Sequence, residues 1–189
     1  MKVKSMFKEH ITNSPISEHF KNHSVIFRSK NPSDINISHY ETIEMRKFMI
    51  KDMDAIVELY KDVFSAEPWN DVWKSRDQVR YYLNELIENP VFEGFVAYEN
   101  SLLVAVCFGH KRSWWTGKEF FIDELFVANG IQGNGIGTRL LHYVERNLFI
   151  LDCMRLTLLT NRDIAAKDFY LKKGFTTIHN RIVMTKDII

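Results

Sequence analysis

Gln132-Gly133-Asn134-Gly135-Ile136-Gly137-Thr138 carries the sharpest local signal in the chain. It lies between an apolar run that reads as a strand, Phe120 to Val127, and a helical pattern from about Ile136 to Leu148. Glycines at such a junction permit positive φ and turn successive backbone N–H groups into one concavity. The helix that follows adds its N-terminal partial positive charge. Together these features hold a pyrophosphate without a metal. The plain alternative is a flexible glycine-rich turn. Two other phosphate loops do not fit. G-x-G-x-x-G needs a third glycine where Thr138 stands, and a P-loop needs lysine where Ile136 follows Gly135.

Upstream of this turn, Ile43 to Phe48 alternates as a half-buried strand does. Asp52 can cap a helix with Met53, Ile56, Val57, Tyr60, Val63 and Phe64 on its apolar face, interrupted at Pro68. Ser75-Arg76-Asp77-Gln78 reads as a capping box for a second helix facing inward through Val79, Tyr82, Leu83, Leu86 and Ile87. Strands Phe92 to Tyr98 and Leu102 to Gly109 follow, then a loop through Ser113-Trp114-Trp115-Thr116-Gly117. The helix after the glycine turn buries Ile136, Leu140, Leu141, Val144 and Leu148. Beyond it a strand from Arg155 to Thr160 leads to a helix from about Ile164 to Lys173, stopped by Gly174. Two last strands, Phe175 to Ile178 and Arg181 to Thr185, hinge at His179-Asn180. The pattern is β-α-α-β-β-β-α-β-α-β-β, a mixed α/β sheet with helices on its faces. Residues 1–40 are polar and aperiodic, and read as an extension with a short helix near Phe7 to Ile11.

Composition sets the bounds. The 189 residues suit one core; 46% are hydrophobic, 26% are charged, and the net charge is +1. Nothing global points to nucleic acid or membrane. Cys107 and Cys153 lack metal or disulfide spacing and read as reduced, buried thiols. No secretory leader is visible, so the cytoplasm is the expected compartment. His10, His19, His23 and His39 show no ligand spacing, and His110 and His142 read as ordinary loop and helix-face residues.

Gln132, Gly135 and Gly137 match Q/R-x-x-G-x-G/A, and Phe169-Tyr170-Leu171-Lys172-Lys173-Gly174-Phe175 matches F-Y-x-x-x-G-F. In that order, on those elements, they resemble the GNAT superfamily of N-acetyltransferases over about Ile43 to the C-terminus. The resemblance implies a mostly antiparallel sheet in a 41–189 domain, and acetyl-CoA as cosubstrate. It lays the pyrophosphate on the amides of Gln132, Gly133, Asn134, Gly135, Ile136, Gly137 and Thr138, and pantetheine along Phe126 and Val127. Phe169, on the helix beside Tyr170, joins the cofactor side, or else serves as core. Lys172 reaches the nucleotide phosphates or is solvated. Asp163 stands where the family often carries asparagine, and Asn161 offers compensation, because an ionised carboxylate accepts but does not donate.

Acetylation of an amine of pKa roughly 10 needs a base, an oxyanion donor and a proton for the thiolate. Asp123 and Glu124 stand inside an apolar strand, where an unpaired charge is costly. Period-2 alternation puts Asp123 on the face of Phe121 and Glu124 on the other. By resemblance Asp123 ranks first as base and Glu124 second, the alternative being a structural ion pair. Tyr170 is the implied acid, or a core aromatic. Glu67 and Trp69, with Trp114 and Trp115, are the implied acceptor walls, since carboxylates beside tryptophans suit a cationic amine; Trp69 reads equally as a plug over the core. The resemblance extends to aminoglycoside-acetyltransferase-like members, so the acceptor is aminoglycoside- or polyamine-like. A protein or peptide acetyltransferase, or a non-catalytic acyl-CoA sensor, is the alternative. The apolar ending Ile182-Val183-Met184 permits a homodimer.

Overall fold

The computed structural model describes residues 43–188. The 1–40 extension, its expected helix and its four histidines lie outside the described residues. The chain runs β1 (Ile43–Lys47), α1 (Met53–Phe64), α2 (Arg76–Ile87), β2 (Phe92–Glu99), β3 (Leu102–Trp114), β4 (Gly117–Val127), α3 (Ile136–Ile150), β5 (Cys153–Leu158) and α4 (Ala165–Lys172). The strands form one sheet in the order β1-β2-β3-β4-β5, antiparallel throughout except for the parallel β4–β5 pair. This is the mixed, mostly antiparallel architecture expected, with helices on both faces. Among the described residues no helix is long and apolar enough to cross a membrane.

The helical periodicities decide the two cores. On one face Met53, Ile56, Val57, Tyr60, Val63 and Phe64 of α1 and Val79 and Leu83 of α2 pack on Val96, Val106, Phe108 and Phe126. On the other, Ile136, Leu140, Leu141, Val144 and Leu148 of α3 pack on Phe95, Ala97, Ala105, Cys107, Phe120 and Ile122. A fully buried large side chain contributes roughly 1.5–3 kcal/mol, whereas an isolated helix of this length is marginal in water. Packing therefore holds α3 in place. Both cysteines are buried and free, as expected.

Four local expectations are corrected. Asp52 does not cap α1 with its side chain. Its carboxylate instead takes two 2.7 Å bonds from Arg46, one of 2.9 Å from Tyr98 Oη and one of 2.8 Å from the Met49 N–H. The capping box is half formed: Ser75 Oγ accepts from the Gln78 N–H, but Gln78 Oε1 accepts from the Lys74 N–H, one residue too early. The Trp114–Trp115 loop is a tight hairpin, because β3 and β4 stay paired out to Trp114 and Gly117. The last two strands are absent among the described residues. Phe175 packs on Tyr170, yet residues 176–188 are exposed and unpaired. Ile182, Val183 and Met184 are consecutive, so no single strand face would bury them all.

Asp52 carries a pH dependence. Burial pushes its carboxyl up, but the bonds from Arg46, Met49 and Tyr98 outweigh burial and hold it below 3.8. A depressed folded-state pKa stabilises above the unfolded value and loses that stabilisation as pH falls through the folded one. Asp52→Asn is expected to cost about 3 kcal/mol at pH 7 and progressively less as pH falls below 3.8, read from urea midpoints along that series.

One irregularity positions the site. Phe108 lies opposite Glu124 but Gly109 lies opposite Ile122, so Asp123 is the extra residue of a β-bulge. A Cβ on Gly109 would collide with the Phe121 carbonyl oxygen and meet the Phe120 ring at 2.5 Å. Only glycine fits opposite the bulge. Gly109→Ala is expected to destabilise by about 3 kcal/mol through overpacking, measured by thermal or urea unfolding.

Candidate active site

The glycine turn forms as a cradle. Gly133 and Gly135 sit at φ +84° and +82°, a region open to glycine at no steric cost. The first backbone bond of the helix is donated by the Arg139 N–H to the Gly135 carbonyl, 3.0 Å. Among the described residues, no backbone carbonyl accepts from the N–H groups between Gln132 and Thr138. The first turn of α3 carries no acid, and no side chain caps it. Unpaired amides, the positive end of α3 and the lack of competing carboxylates suit an anion. The Gln132 side chain folds back to donate to the Val127 carbonyl, 3.0 Å.

Immediately upstream the sheet parts. Pairing of β4 with β5 ends at Ile122 and Leu158, leaving β4 from Asp123 to Val127 without a partner on that edge. The bulge falls at the same point and corrects the expected faces. Phe120 and Ile122 belong to the α3 core; after the extra residue it is Leu125 and Val127 that do, and Phe126 joins the α1–α2 core. Asp123 and Glu124 thus both face α1 and α2. Glu124 Oε1 accepts from Tyr60 Oη at 3.2 Å and from Tyr82 Oη at 2.5 Å. Asp123 Oδ2 lies 2.8 Å from His110 Nδ1.

Burial is the largest influence on Glu124. It pushes the carboxyl up, the two tyrosine bonds pull it down, and the charges of Asp123 and Asp71 push it up again, to about 7. Tyr60 and Tyr82 are pushed far above their ordinary 10 by burial first and Glu124 second, so they stay protonated donors. Tyr170 is buried against Phe169 and Phe175, with ring centroids 5.2 Å away in each case. Burial, then Cys107 and Glu124, raise its hydroxyl too. The hydroxyl therefore stays protonated at neutral pH.

A family model described as Acetyltransferase (GNAT) family matches residues 53–175, from the start of α1 to just past α4. The chain belongs to the GNAT acetyltransferase family. Solved structures of similar GNAT fold include a possible acetyltransferase from Clostridium difficile 630, with 17% identity, TM-score 0.67, and coverage of 79% of this chain and 100% of that one. The aminoglycoside acetyltransferase AAC(6')-Iy, in complex with a CoA-S-monomethyl-acetylneamine bisubstrate analogue, is 12% identical with TM-score 0.62, covering 78% and 99%. An aminoglycoside acetyltransferase from an uncultured soil metagenomic sample, in complex with sisomicin, is 14% identical with TM-score 0.60, covering 78% and 96%. At these identities the likeness is one of fold. No curated protein matches the chain.

Within this GNAT domain the remaining expected residues separate. Phe126 is buried in the α1–α2 core, and Phe169 packs against the α3 core. Asn161 and Asp163 are exposed on the connection between β5 and α4, and Lys172 is exposed at the end of α4. Trp69 lies tilted against Phe64 at 5.4 Å and packs on the α1–α2 core, and Glu67 beside it is exposed. Trp114 and Trp115 do not join them. They sit at the hairpin tip, six residues and about 20 Å of strand from Asp123. Trp114 has Arg112 over its ring at 5.4 Å, not a carboxylate.

Four residues of the candidate site carry no clear signal in the sequence. Tyr60 and Tyr82 were legible only as apolar-face positions, although a buried tyrosine hydroxyl has to find a partner. Trp73 meets Tyr60 edge-to-face at 5.5 Å and lies tilted against Tyr82 at 5.6 Å, and among the described residues its Nε1 is buried without an acceptor. His110, expected in a loop, stands on β3 because that strand runs five residues beyond Gly109.

Proposed function

We propose that residues 41–189 form an N-acetyltransferase domain. In this reading it moves the acetyl group of acetyl-CoA to a primary amine of a small cationic acceptor, aminoglycoside- or polyamine-like, by direct attack in a ternary complex. The observation that carries the reading is Glu124, a carboxyl tuned to about 7 where the sheet parts. A general base works best with a pKa near the operating pH.

The residues present fit acetyl-CoA. The amides from Gln132 to Thr138 would hold its pyrophosphate, with Phe126 and Val127 along the pantetheine, Asn161, Asp163 and Phe169 beside it, and Lys172 toward the nucleotide phosphates. Bound there, it supplies the thioester carbonyl that an amine attacks. Glu124 is the base of choice over Asp123. Tyr60 and Tyr82 hold its Oε1, leaving Oε2 without a hydrogen-bond partner among the described residues. Oε2 takes the ammonium proton. A backbone N–H at Phe126 or Val127 faces the developing oxyanion. Tyr170 keeps its proton at neutral pH and offers it to the departing sulfur.

The acceptor class is supported by Asp71, Asp123 and Glu124 gathered beside the rings of Tyr60, Trp73 and Tyr82. Carboxylates and aromatic faces together attract a cationic amine. That two fold relatives are solved with aminoglycoside-type ligands agrees with this class. Thiol release from acetyl-CoA with sisomicin, spermidine and a lysine peptide is the test. Turnover on either small amine is expected. Turnover confined to the peptide would move the acceptor to proteins, and tight binding without turnover would favour a sensor.

A further inference from the structure

Roles for Glu124 and Tyr170 leave one titratable pair on the acceptor face unused. His110 lies opposite Phe121 and stacks on its ring, with centroids 5.4 Å apart and planes at 29°. Its Nδ1 is 2.8 Å from Asp123 Oδ2. An ionised carboxylate only accepts, so in the neutral ring Nδ1 carries the hydrogen and Nε2 keeps its lone pair. Nε2 has no partner among the described residues. It is not enclosed either, because there the buried side-chain atom without a partner is Trp73 Nε1, and the His110 side chain is 29% exposed. His110 and Phe108 share a face of β3, and Phe108 lies opposite Glu124. The imidazole therefore stands one side-chain step, about 7 Å of strand, from Glu124.

The reaction has work for it. Between ammonium and amide the nitrogen loses two protons. The first goes to Glu124 and frees the lone pair that forms the C–N bond. A carboxylate holds one proton, so the second needs another acceptor. The C–S electron pair leaves on sulfur, which takes a proton from Tyr170; Tyr170 is refilled from solvent, and one proton is released net.

Resting on the acetyl-transfer reading, we propose that His110, oriented by Asp123, accepts the second proton at Nε2 and passes it to solvent. On the same face stand Asp123 and Glu124 of β4, which are acidic, and Tyr60 of α1 and Tyr82 of α2, which bond Glu124. Arg112, the next cation on this face of β3, lies over Phe121 at 5.5 Å and is bound by Glu119 at 2.9 Å. Asp123 acts as a positioning residue, which explains why two carboxylates share the bulge with different partners.

The test uses the full chain, with acetyl-CoA and the panel of amines named above. Nitrogen NMR of the neutral imidazole should find the Nδ1–H tautomer, lost in Asp123→Asn. His110→Gln should lower kcat by roughly 10- to 100-fold with little change in KM, and the loss should shrink toward pH 10, where about half of the amine is already deprotonated. Imidazole added to His110→Ala should restore turnover, a rescue that a structural role would not give. A wild-type Nε2–H tautomer, an unchanged kcat in His110→Gln, or a failure of rescue overturns the proposal. Where the wild type turns over and His110→Gln matches it, the relay alone falls. Where the wild type releases no thiol on any amine, acetyl transfer falls and the relay falls with it.

Discussion

Replacing Glu124 by Gln is expected to lower kcat/KM for amine acetylation by roughly 10²- to 10⁴-fold, and to stabilise the fold above neutral pH. Both effects have one cause. Burial lifts the Glu124 carboxyl from 4.5 to about 7, so ionising it in the folded protein costs roughly 3 kcal/mol. The sign follows from proton counts. Between pH 4.5 and 7 the folded state holds a proton that the unfolded state has lost, so stability falls with rising pH across that window and then levels off. The base has to be ionised to work, so activity should rise through the same pH, near 7. Glutamine keeps an oxygen for Tyr60 and Tyr82 but never ionises, which removes the penalty and the base together. Urea unfolding at pH 5 and 8, with a pH profile of thiol release, measures both. A variant that is inactive but no more stable at pH 8 would contradict this account.

Gly135→Asp should abolish use of acetyl-CoA while leaving the fold largely intact. Gly135 holds a left-handed conformation at the start of α3. Aspartate tolerates that region better than most residues, at a cost near 1 kcal/mol. Nothing lies within 4 Å of a Cβ built there, so no clash adds to the cost. The new carboxylate, however, would sit among amides otherwise free for pyrophosphate. At an effective dielectric of 20, like charges about 5 Å apart repel by roughly 3 kcal/mol, so affinity should fall by roughly 100-fold or more. Isothermal titration with acetyl-CoA reads the loss, and a melting curve verifies the fold. Unchanged affinity would remove the pyrophosphate from this turn.

What was legible in the sequence follows from how local each signal is. Every residue expected on the buried faces of α1 and α3 is buried, because helical periodicity records one neighbour, the sheet. The glycine turn was legible for a similar reason: positive φ and a helix start are properties of adjacent residues. The faces of Asp123 and Glu124 were not, since a bulge is defined by the partner strand and its trace in the sequence, Gly109, lies fourteen residues away. Tyr60, Tyr82 and His110 carry chemistry only through contacts made across elements. The final strands failed on the same ground. Alternation shows that a segment can pair, and the β5 edge shows no partner for it among the described residues.

The bulge also sets what a one-residue deletion would do. Deleting Asp123 would set Glu124 directly after Ile122, restore the regular ladder with β3, and leave every other β4 side chain on its present face. The core has no use for the extra residue. A shorter chain would fold with a better sheet and without the oxygen that holds His110. The length of this strand, and not merely its composition, therefore decides which carboxylates the site holds.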